Sequence, residues 1–116
     1  MRTVLATGLM VVAVATSIAA HATEVQIPRT MADKGKYYLL DTKTNSGITA
    51  TLHKRVGVSE TGYSKTEINC KTMQYRDMGY SEVGPDRLAG GPGKWTDILS
   101  GSSKSDLVNF VCSRKP

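Results

Sequence analysis

The sequence NCKTMQYRDMGYSEVG, residues 69–84, contains the first of the two cysteines of the chain, Cys70, and the sequence GKWTDILSGSSKSDLVNFVC, residues 93–112, ends on the second, Cys112. In the second stretch, three apolar residues at helical spacing predict an amphipathic helix, which a serine at 102 or 103 can cap. A helix this short is not stable alone in water. We therefore expect the helix to dock on a sheet. A disulfide from Cys112, at the end of the helix, would fasten it to the strand that carries Cys70. The residues expected to form the core around this bridge are Ile68, Arg76, Tyr80, Trp95, Leu107, Val108 and Val111.

The residues before Cys70 predict strands that build this sheet. KYYLLD at 36–41 is rich in aromatic and apolar residues, and a turn cluster follows at 42–47, where Asn45 and Gly47 can supply positive φ angles. Residues 47–56 alternate strictly, which predicts a half-buried strand in a hairpin with the first one. One face carries Ile48, Ala50, Leu52 and Val56, and the other carries Thr49, Thr51, His53 and Arg55. We expect the apolar face to pack on the core and His53 to face solvent.

The alternation from residue 62 to residue 83 is longer than a usual strand. It predicts a bulge or bend near residues 72–78, or two strands. Residues 84–93 contain four glycines and two prolines and predict a surface loop, either a plain connection or a binding loop. Residues 94–99 predict a last short strand.

The N-terminal segment resembles an export signal. Arg2 is a short basic region, an apolar run follows from Val4 to Ala15, and Ala20-His21-Ala22 fits the small-x-small cleavage rule. The apolar run is short for a membrane span, which needs about 20 residues; a buried helix or an uncleaved anchor is the alternative. We expect three segments: a signal peptide at 1–22, an N-terminal leader or tether at 23–35, with a short edge strand at 25–27, and one domain at 36–116. The protein is expected to be exported, to the periplasm or the medium, with no membrane span and no cysteine at the cleavage point for a lipid anchor.

Export bears on the two cysteines, because an oxidising compartment favours one disulfide between Cys70 and Cys112. Two free thiols, or a bridge between two chains, are the alternatives. Without the signal, 94 of the 116 residues remain, enough for one domain with a small core. The bridge should then supply a large share of the stability.

Enzyme chemistry has no positive signal in this sequence. Outside the signal, His53 is the only histidine, no Cys or His pair has the spacing of metal ligands, and no serine lies in a nucleophile elbow. Ordinary solvation explains Asp77, Glu82, Asp86 and Asp97 better than a glycosidase-like pair. The excess of five basic residues falls to four when Arg2 is removed with the signal, and the charges are scattered rather than arranged in a stripe. We predict a non-enzymatic protein without a metal or cofactor and without a nucleic-acid partner.

Arg76 and Trp95 permit two interpretations. Arginine and tryptophan are favoured at protein interfaces, so the pair can form a stacked anchor for a partner. Alternatively, Trp95 is a core ring that covers the disulfide, and Arg76 is satisfied by a carboxylate or carbonyl of the helix. The sequence favours the second interpretation.

Residues 36–112 resemble the surface-adhesin protein E family. The resemblance rests on the order and spacing of Cys70, Arg76, Tyr80, Trp95, a Gly-Ser turn at 101–102, the apolar residues Leu107, Val108 and Val111, and Cys112. That family comprises small exported bacterial proteins with an antiparallel sheet and a C-terminal helix tethered by a disulfide, and its founding member is an outer-membrane lipoprotein that binds vitronectin and laminin. This chain departs from it by lacking the lipid-attachment cysteine.

Residues and resemblance together predict an α+β fold: an antiparallel meander of four to six strands, with one C-terminal helix packed on it and tied by a disulfide. The resemblance implies a binding module of the bacterial envelope, whose partner is a host extracellular-matrix protein or an anionic envelope polymer. The alternative function is a small periplasmic inhibitor of a secreted enzyme such as lysozyme, in which a loop fills the enzyme's cleft.

Overall fold

The structure, a computed structural model, describes residues 24–31 and 33–114. The expected signal peptide at 1–22 and the last two residues of the expected domain lie outside the described residues. The described chain forms one antiparallel sheet in sequential order, β1-β2-β3-β4-β5-β6, followed by a helix. The elements are β1 (Val25–Gln26), β2 (Lys36–Asn45), β3 (Ile48–Val56), β4 (Thr61–Asn69), β5 (Gln74–Ser81), β6 (Thr96–Asp97) and α1 (Ser103–Ser113). The expected α+β meander with its C-terminal helix is confirmed.

Short polar turns join the central strands. The β2–β3 turn has positive φ angles at Ser46 and Gly47, so Gly47 acts as expected and Ser46 takes the role expected of Asn45. The long alternating stretch divides into two strands, β4 and β5. Asn69 causes this division, because its side-chain oxygen accepts hydrogen bonds from the backbone N–H groups of Lys71 and Thr72 and closes the turn.

Helix α1 begins where the serines predict. Ser102 is the N-cap residue, and its side-chain oxygen accepts a hydrogen bond from the backbone N–H of Ser105. Leu107, Val108 and Val111 are buried against the sheet, so the expected apolar stripe is the docking face. At the far end of the helix, Cys112 is bonded to Cys70, with the two Cα atoms 5.5 Å apart. The predicted disulfide is confirmed, and it fastens the helix to the turn that follows β4.

The two faces of the sheet differ in what covers them. We call the face that carries Leu39 and Ile68 the helix face, because both pack in the core with α1. The opposite side is the open face. In β3, the helix face receives Thr49, Thr51 and His53, all buried, whereas Ile48, Ala50 and Leu52 lie half-buried on the open face. The expectation that β3 turns its apolar residues toward the helix and its polar residues toward solvent is therefore wrong.

Hydrogen bonds explain how the polar residues of β3 are buried. Thr51 donates its hydroxyl to the backbone carbonyl of Thr66 at 2.9 Å, and His53 Nε2 lies 2.9 Å from the Thr66 hydroxyl. Thr49 Oγ1 lies 2.9 Å from Thr44 Oγ1 on β2. Because a buried polar group is costly only when it lacks a partner, these side chains can take the place of apolar ones.

The segment before β2 is part of the packed structure rather than a tether. Val25 and Gln26 form the expected edge strand, and Ile27 is 3% exposed within the core. Arg29 Nε then donates to Asp106 Oδ2 of α1 at 2.6 Å, and both the backbone N–H and the hydroxyl of Thr30 donate to the same carboxylate. The leader therefore packs against the start of the helix.

Candidate functional site: the open face of the sheet

The open face is defined by the pairing register of three central strands. Ala50 lies opposite Lys43 of β2 and Glu67 of β4, and Leu52 lies opposite Asp41 and Lys65. Directly opposed residues share a face of the sheet. An apolar column on β3 therefore consists of Ile48, Ala50 and Leu52. Charged residues flank Ala50 and Leu52 on both neighbouring strands, and Asn45 and Asn69 flank Ile48.

The glycine- and proline-rich loop at 84–93 is bound to β5 along its return path. Tyr80 and Ala89 exchange two backbone hydrogen bonds, and the N–H of Gly93 donates to the carbonyl of Asp77 at 2.7 Å. Gly91 has a φ of +71°, and a side chain there would meet the backbone of Met78 at 2.7 Å, so only glycine fits this approach. These contacts hold the loop against β5.

Loop and sheet together enclose a groove on the open face, with a volume of about 290 Å³. Ala50 and Leu52 lie along it, and Pro85 and Leu88 form its apolar wall. Leu88 approaches β5 closely, since a side chain at Gly79 would meet its Cβ at 3.2 Å. The complete lining is Asp41, Lys43, Ala50, Thr51, Leu52, Lys65, Pro85 and Leu88. We call this site the loop groove.

Arg76 and Trp95 lie on the same face of the sheet as the loop groove, outside its lining. The guanidinium of Arg76 lies 4.8 Å from the centre of the Trp95 ring, and its Nε and Nη2 atoms lie 2.9 and 2.8 Å from Glu67 Oε1. Glu67 is the residue opposite both Ala50 and Arg76, so β4 alone separates this stack from the apolar column. The structure thus contains the stacked pair that the sequence allowed as a partner anchor.

The residues expected around the disulfide divide into two groups. Ile68, Leu107, Val108 and Val111 lie together in the core, with both cysteines packed against them. Arg76, Tyr80 and Trp95 do not. Arg76 and Trp95 are half-buried on the open face, Arg76 is bound by a strand carboxylate rather than by the helix, and Tyr80 is 49% exposed. The interpretation of Trp95 as a cover for the disulfide is therefore wrong.

His53, which the sequence predicted to face solvent, is 9% exposed and lies on the helix face of the sheet. Burial lowers its pKa to about 4, with a smaller contribution in the same direction from the Lys104 ammonium and an opposing one from Asp77. The imidazole is consequently neutral at neutral pH and a weak base. Ser64 is its cross-strand neighbour, but the Nε2 atom bonds to Thr66.

A second cleft, of about 290 Å³, lies on the helix face beside the start of α1. Ser64, Asp77, Tyr80 and Lys104 line it, and the Lys104 ammonium is paired with the Asp77 carboxylate. Within residues 24–31 and 33–114, no group of three or more His, Cys, Asp or Glu residues has the geometry to hold a metal ion.

The sequence indicates only part of the open face. It marks the loop at 84–93 and the Arg76–Trp95 pair as binding candidates, but no motif in it marks Lys43, Lys65 or Leu52 as site residues. The alternation in residues 47–56 does separate the apolar face of β3 from its polar face. It does not indicate which of the two faces the helix covers.

Comparison with known proteins returned no matching family model, no matching curated protein and no matching solved structure. In the part of the chain that the structure describes, no helix is long and apolar enough to cross a membrane.

Proposed function

We propose that the protein is an exported, non-enzymatic binding module of the bacterial envelope, and that the open face is its binding surface. The observation that carries this proposal is the orientation of β3. Its apolar residues lie on the face that the helix does not cover, although burying them under the helix would use them for stability. Natural sequences depart from such local consistency mainly at functional sites, where the departure serves a partner.

The chemistry of the open face supports the same conclusion. Tryptophan and arginine are enriched among residues that dominate binding energy, and Trp95 and Arg76 are stacked there in a fixed geometry. The loop at 84–93 is anchored at its return path, so a partner would not have to order it on binding.

The resemblance to the surface-adhesin protein E family suggests the class of partner, a host extracellular-matrix protein or an anionic envelope polymer. The export signal and the disulfide fit a protein that acts outside the cytoplasm. The excess of basic residues would favour an anionic partner.

The test is a binding measurement with the purified protein that lacks residues 1–22. Vitronectin, laminin and purified lipopolysaccharide are immobilised in turn, and the wild type is compared with Trp95→Ala and Leu52→Ser. We expect binding to at least one of these, reduced at least tenfold by either open-face substitution. A matched control, Tyr80→Ala, removes an exposed aromatic ring from the opposite side of the sheet and should bind like the wild type. Binding to none of them, or equal binding by all folded variants, would contradict the proposal.

A second candidate function is inhibition of a secreted enzyme. The observation that favours it is a pair of exposed apolar residues at one end of the sheet. Val58 in the β3–β4 turn and Val83 after β5 are 81% and 77% exposed, and the antiparallel register places both segments at the same end. Glu60 and Glu82 lie in the same segments, and Glu82 accepts a hydrogen bond from the Tyr80 hydroxyl at 3.0 Å. An apolar, acidic projection of this kind suits a basic cleft.

Lysozyme activity on bacterial cell walls distinguishes the two functions. An inhibitor would lower the activity at equimolar protein, and the double substitution Val58→Ser, Val83→Ser would restore it, whereas Trp95→Ala would not. Unchanged activity in the presence of the protein would remove lysozyme as the target enzyme.

A further inference from the structure

We infer that the loop groove binds a free, single-chain anionic amphiphile, that is, one acyl chain with a carboxylate or phosphate head group. This inference rests on the proposed function of the open face and specifies a ligand for it. The acyl chain would lie against Ala50, Leu52 and Leu88, and the head group would lie near Lys43 and Lys65.

The backbone around the groove favours an acyl chain over a peptide or a sugar. β3 lies between two strands and pairs with both over its whole length, so its N–H and C=O groups are committed to β2 and β4. The apolar part of the lining, Ala50, Leu52, Pro85 and Leu88, has no polar side-chain atom. A peptide or sugar placed there would lose hydrogen bonds to water without replacing them, which costs free energy, whereas an acyl chain would lose none.

The shape of the groove fits one chain. Ile48 and Leu52 are four residues apart on the same face of β3, which corresponds to about 13 Å along the strand. Ala50 and Leu52 line the groove together with Leu88, and Ile48 extends the column beyond it, so an acyl chain of medium length can follow the column and contact Leu88. Since the groove is bounded by the loop on one side, its geometry suits a single chain in solution better than the surface of a bilayer.

The head-group preference follows from charge. Lys43 and Lys65 lie on the two strands that flank β3, opposite Ala50 and Leu52 and so roughly 12 Å apart at the Cα level, and neither forms an ion pair with any residue that the structure describes. Two unpaired ammonium groups attract an anion. Asp41 also lines the groove and opposes that attraction, so the groove is cationic by one unit overall.

The experiment measures binding of laurate to the purified protein that lacks residues 1–22, below the concentration at which laurate forms micelles. Dodecyltrimethylammonium is the matched probe, with the same chain length and a cationic head. Trp95, the only tryptophan of the chain, lies on the same face as the groove and supplies a fluorescence signal, and backbone amide NMR shifts locate the ligand. We expect saturable binding of laurate, at least tenfold tighter than that of the cation, with the largest shifts at Leu52, Lys65 and Leu88.

Four variants test the parts of the inference separately. Leu52→Asp should abolish binding, and the double substitution Lys43→Glu, Lys65→Glu should weaken it at least tenfold. Asp41→Asn should strengthen it severalfold, because it removes the opposing charge. Lys71→Glu changes an exposed lysine in the β4–β5 turn, away from the groove, and should leave the affinity unchanged.

Three outcomes would overturn the inference. Equal binding of laurate and the cation would exclude the head-group preference, and laurate binding that survives Leu52→Asp would place the ligand elsewhere. Binding to vesicles of anionic lipid without binding of laurate would identify a membrane surface instead. If laurate does not bind while open-face substitutions still abolish binding to a matrix protein or to lipopolysaccharide, the proposed function stands and only this inference fails.

Discussion

The hydroxyl group of Thr66 satisfies the ring of His53 in a part of the core where an apolar side chain would be expected. Thr66 is fully buried, His53 Nε2 lies 2.9 Å from its hydroxyl, and its backbone carbonyl accepts the hydroxyl of Thr51. The three residues depend on one another. Removing the Thr66 hydroxyl would leave the buried His53 ring without this hydrogen-bond partner, and removing either His53 or Thr51 would leave a buried oxygen of Thr66 without that partner. The sequence could not predict that these residues are buried. Threonine and histidine are polar, so the alternating pattern assigns them to the solvent side, and the hydrogen bonds between them form only when the strands are paired.

Substituting valine for Thr66 tests this dependence. Valine has nearly the shape of threonine and keeps the strand preference, so the change removes little except the hydroxyl. We expect the free energy of unfolding to fall by about 1–3 kcal/mol, because His53 loses its partner. Urea denaturation measures the change. Thr42→Val, at an exposed position of β2, is the matched control and should change stability by less than about 0.5 kcal/mol; equal effects at both positions would show that the bond to His53 contributes nothing.

His53 also predicts how stability depends on pH. Its pKa is about 4 in the folded protein, below the ordinary value of 6.5, so the unfolded chain binds the proton more tightly. The contribution of the neutral ring is complete above pH 6.5 and is lost as the pH falls toward 4, by about 3 kcal/mol in total. Lys104 and Asp77, the charged groups that act on the ring, are themselves paired with each other.

The measurement is a series of urea titrations between pH 7 and pH 4.5 on the wild type and on His53→Gln. The glutamine side chain does not titrate in this range, so the variant should lose less stability as the pH falls. Equal pH slopes for the two proteins would contradict the predicted shift. Asp106, whose lowered pKa also makes stability pH-dependent, acts mainly below its ordinary value of 3.8, outside this window.

Helix α1 is held at its first turn by a segment that the sequence presented as a leader. Asp106 lies in the first turn of the helix, where an acidic residue is favourable, but its partners, Arg29 and Thr30, lie more than 70 positions earlier in the chain. Burial alone would raise the pKa of Asp106, yet the hydrogen bonds from these two residues together outweigh it and lower the pKa. The helix and β2 to β5 were predictable because their signals are local, whereas this docking depends on residues that only the folded chain brings together.

Replacing Asp106 by alanine should release the leader from the helix. Arg29 would keep its ion pair with Asp33 at 3.0 Å but lose the one with Asp106, and Thr30 would lose the acceptor of two hydrogen bonds, so we expect the free energy of unfolding to fall by about 1–3 kcal/mol. Amide hydrogen exchange locates the effect, with faster exchange expected at Thr30, whose N–H donates to the removed carboxylate. Asp86→Ala, at an exposed loop position, is the control and should leave exchange at Thr30 unchanged. Unaltered exchange in the Asp106 variant would show that other contacts hold the leader.

The molecule as a whole depends on a small apolar core. Among the described residues, six hydrophobic side chains are buried: Ile27, Leu39, Ile68, Leu107, Val108 and Val111. Ile27 and Leu39 come from the leader and β2, Ile68 from β4, and the rest from the helix, so the core exists only when leader, sheet and helix are assembled. A core of this size contributes little surplus over the entropy of folding, which leaves a large role for the covalent link between helix and sheet.

The disulfide should therefore decide whether the domain is folded at growth temperature. The bridge spans 42 positions in sequence, and closing a loop of that length stabilises by about 4 kcal/mol in the chain-entropy model. Reduction should lower the melting temperature by roughly 15 °C or more in a domain of this size, and helix content should decrease because α1 is too short to persist undocked. Thermal melts with and without reductant measure the change in melting temperature. The double variant Cys70→Ser, Cys112→Ser is the control. Its melting temperature should equal that of the reduced wild type and should not respond to reductant. A wild-type melting curve that is indifferent to reduction would show that packing of Leu107, Val108 and Val111 suffices to hold the helix on the sheet.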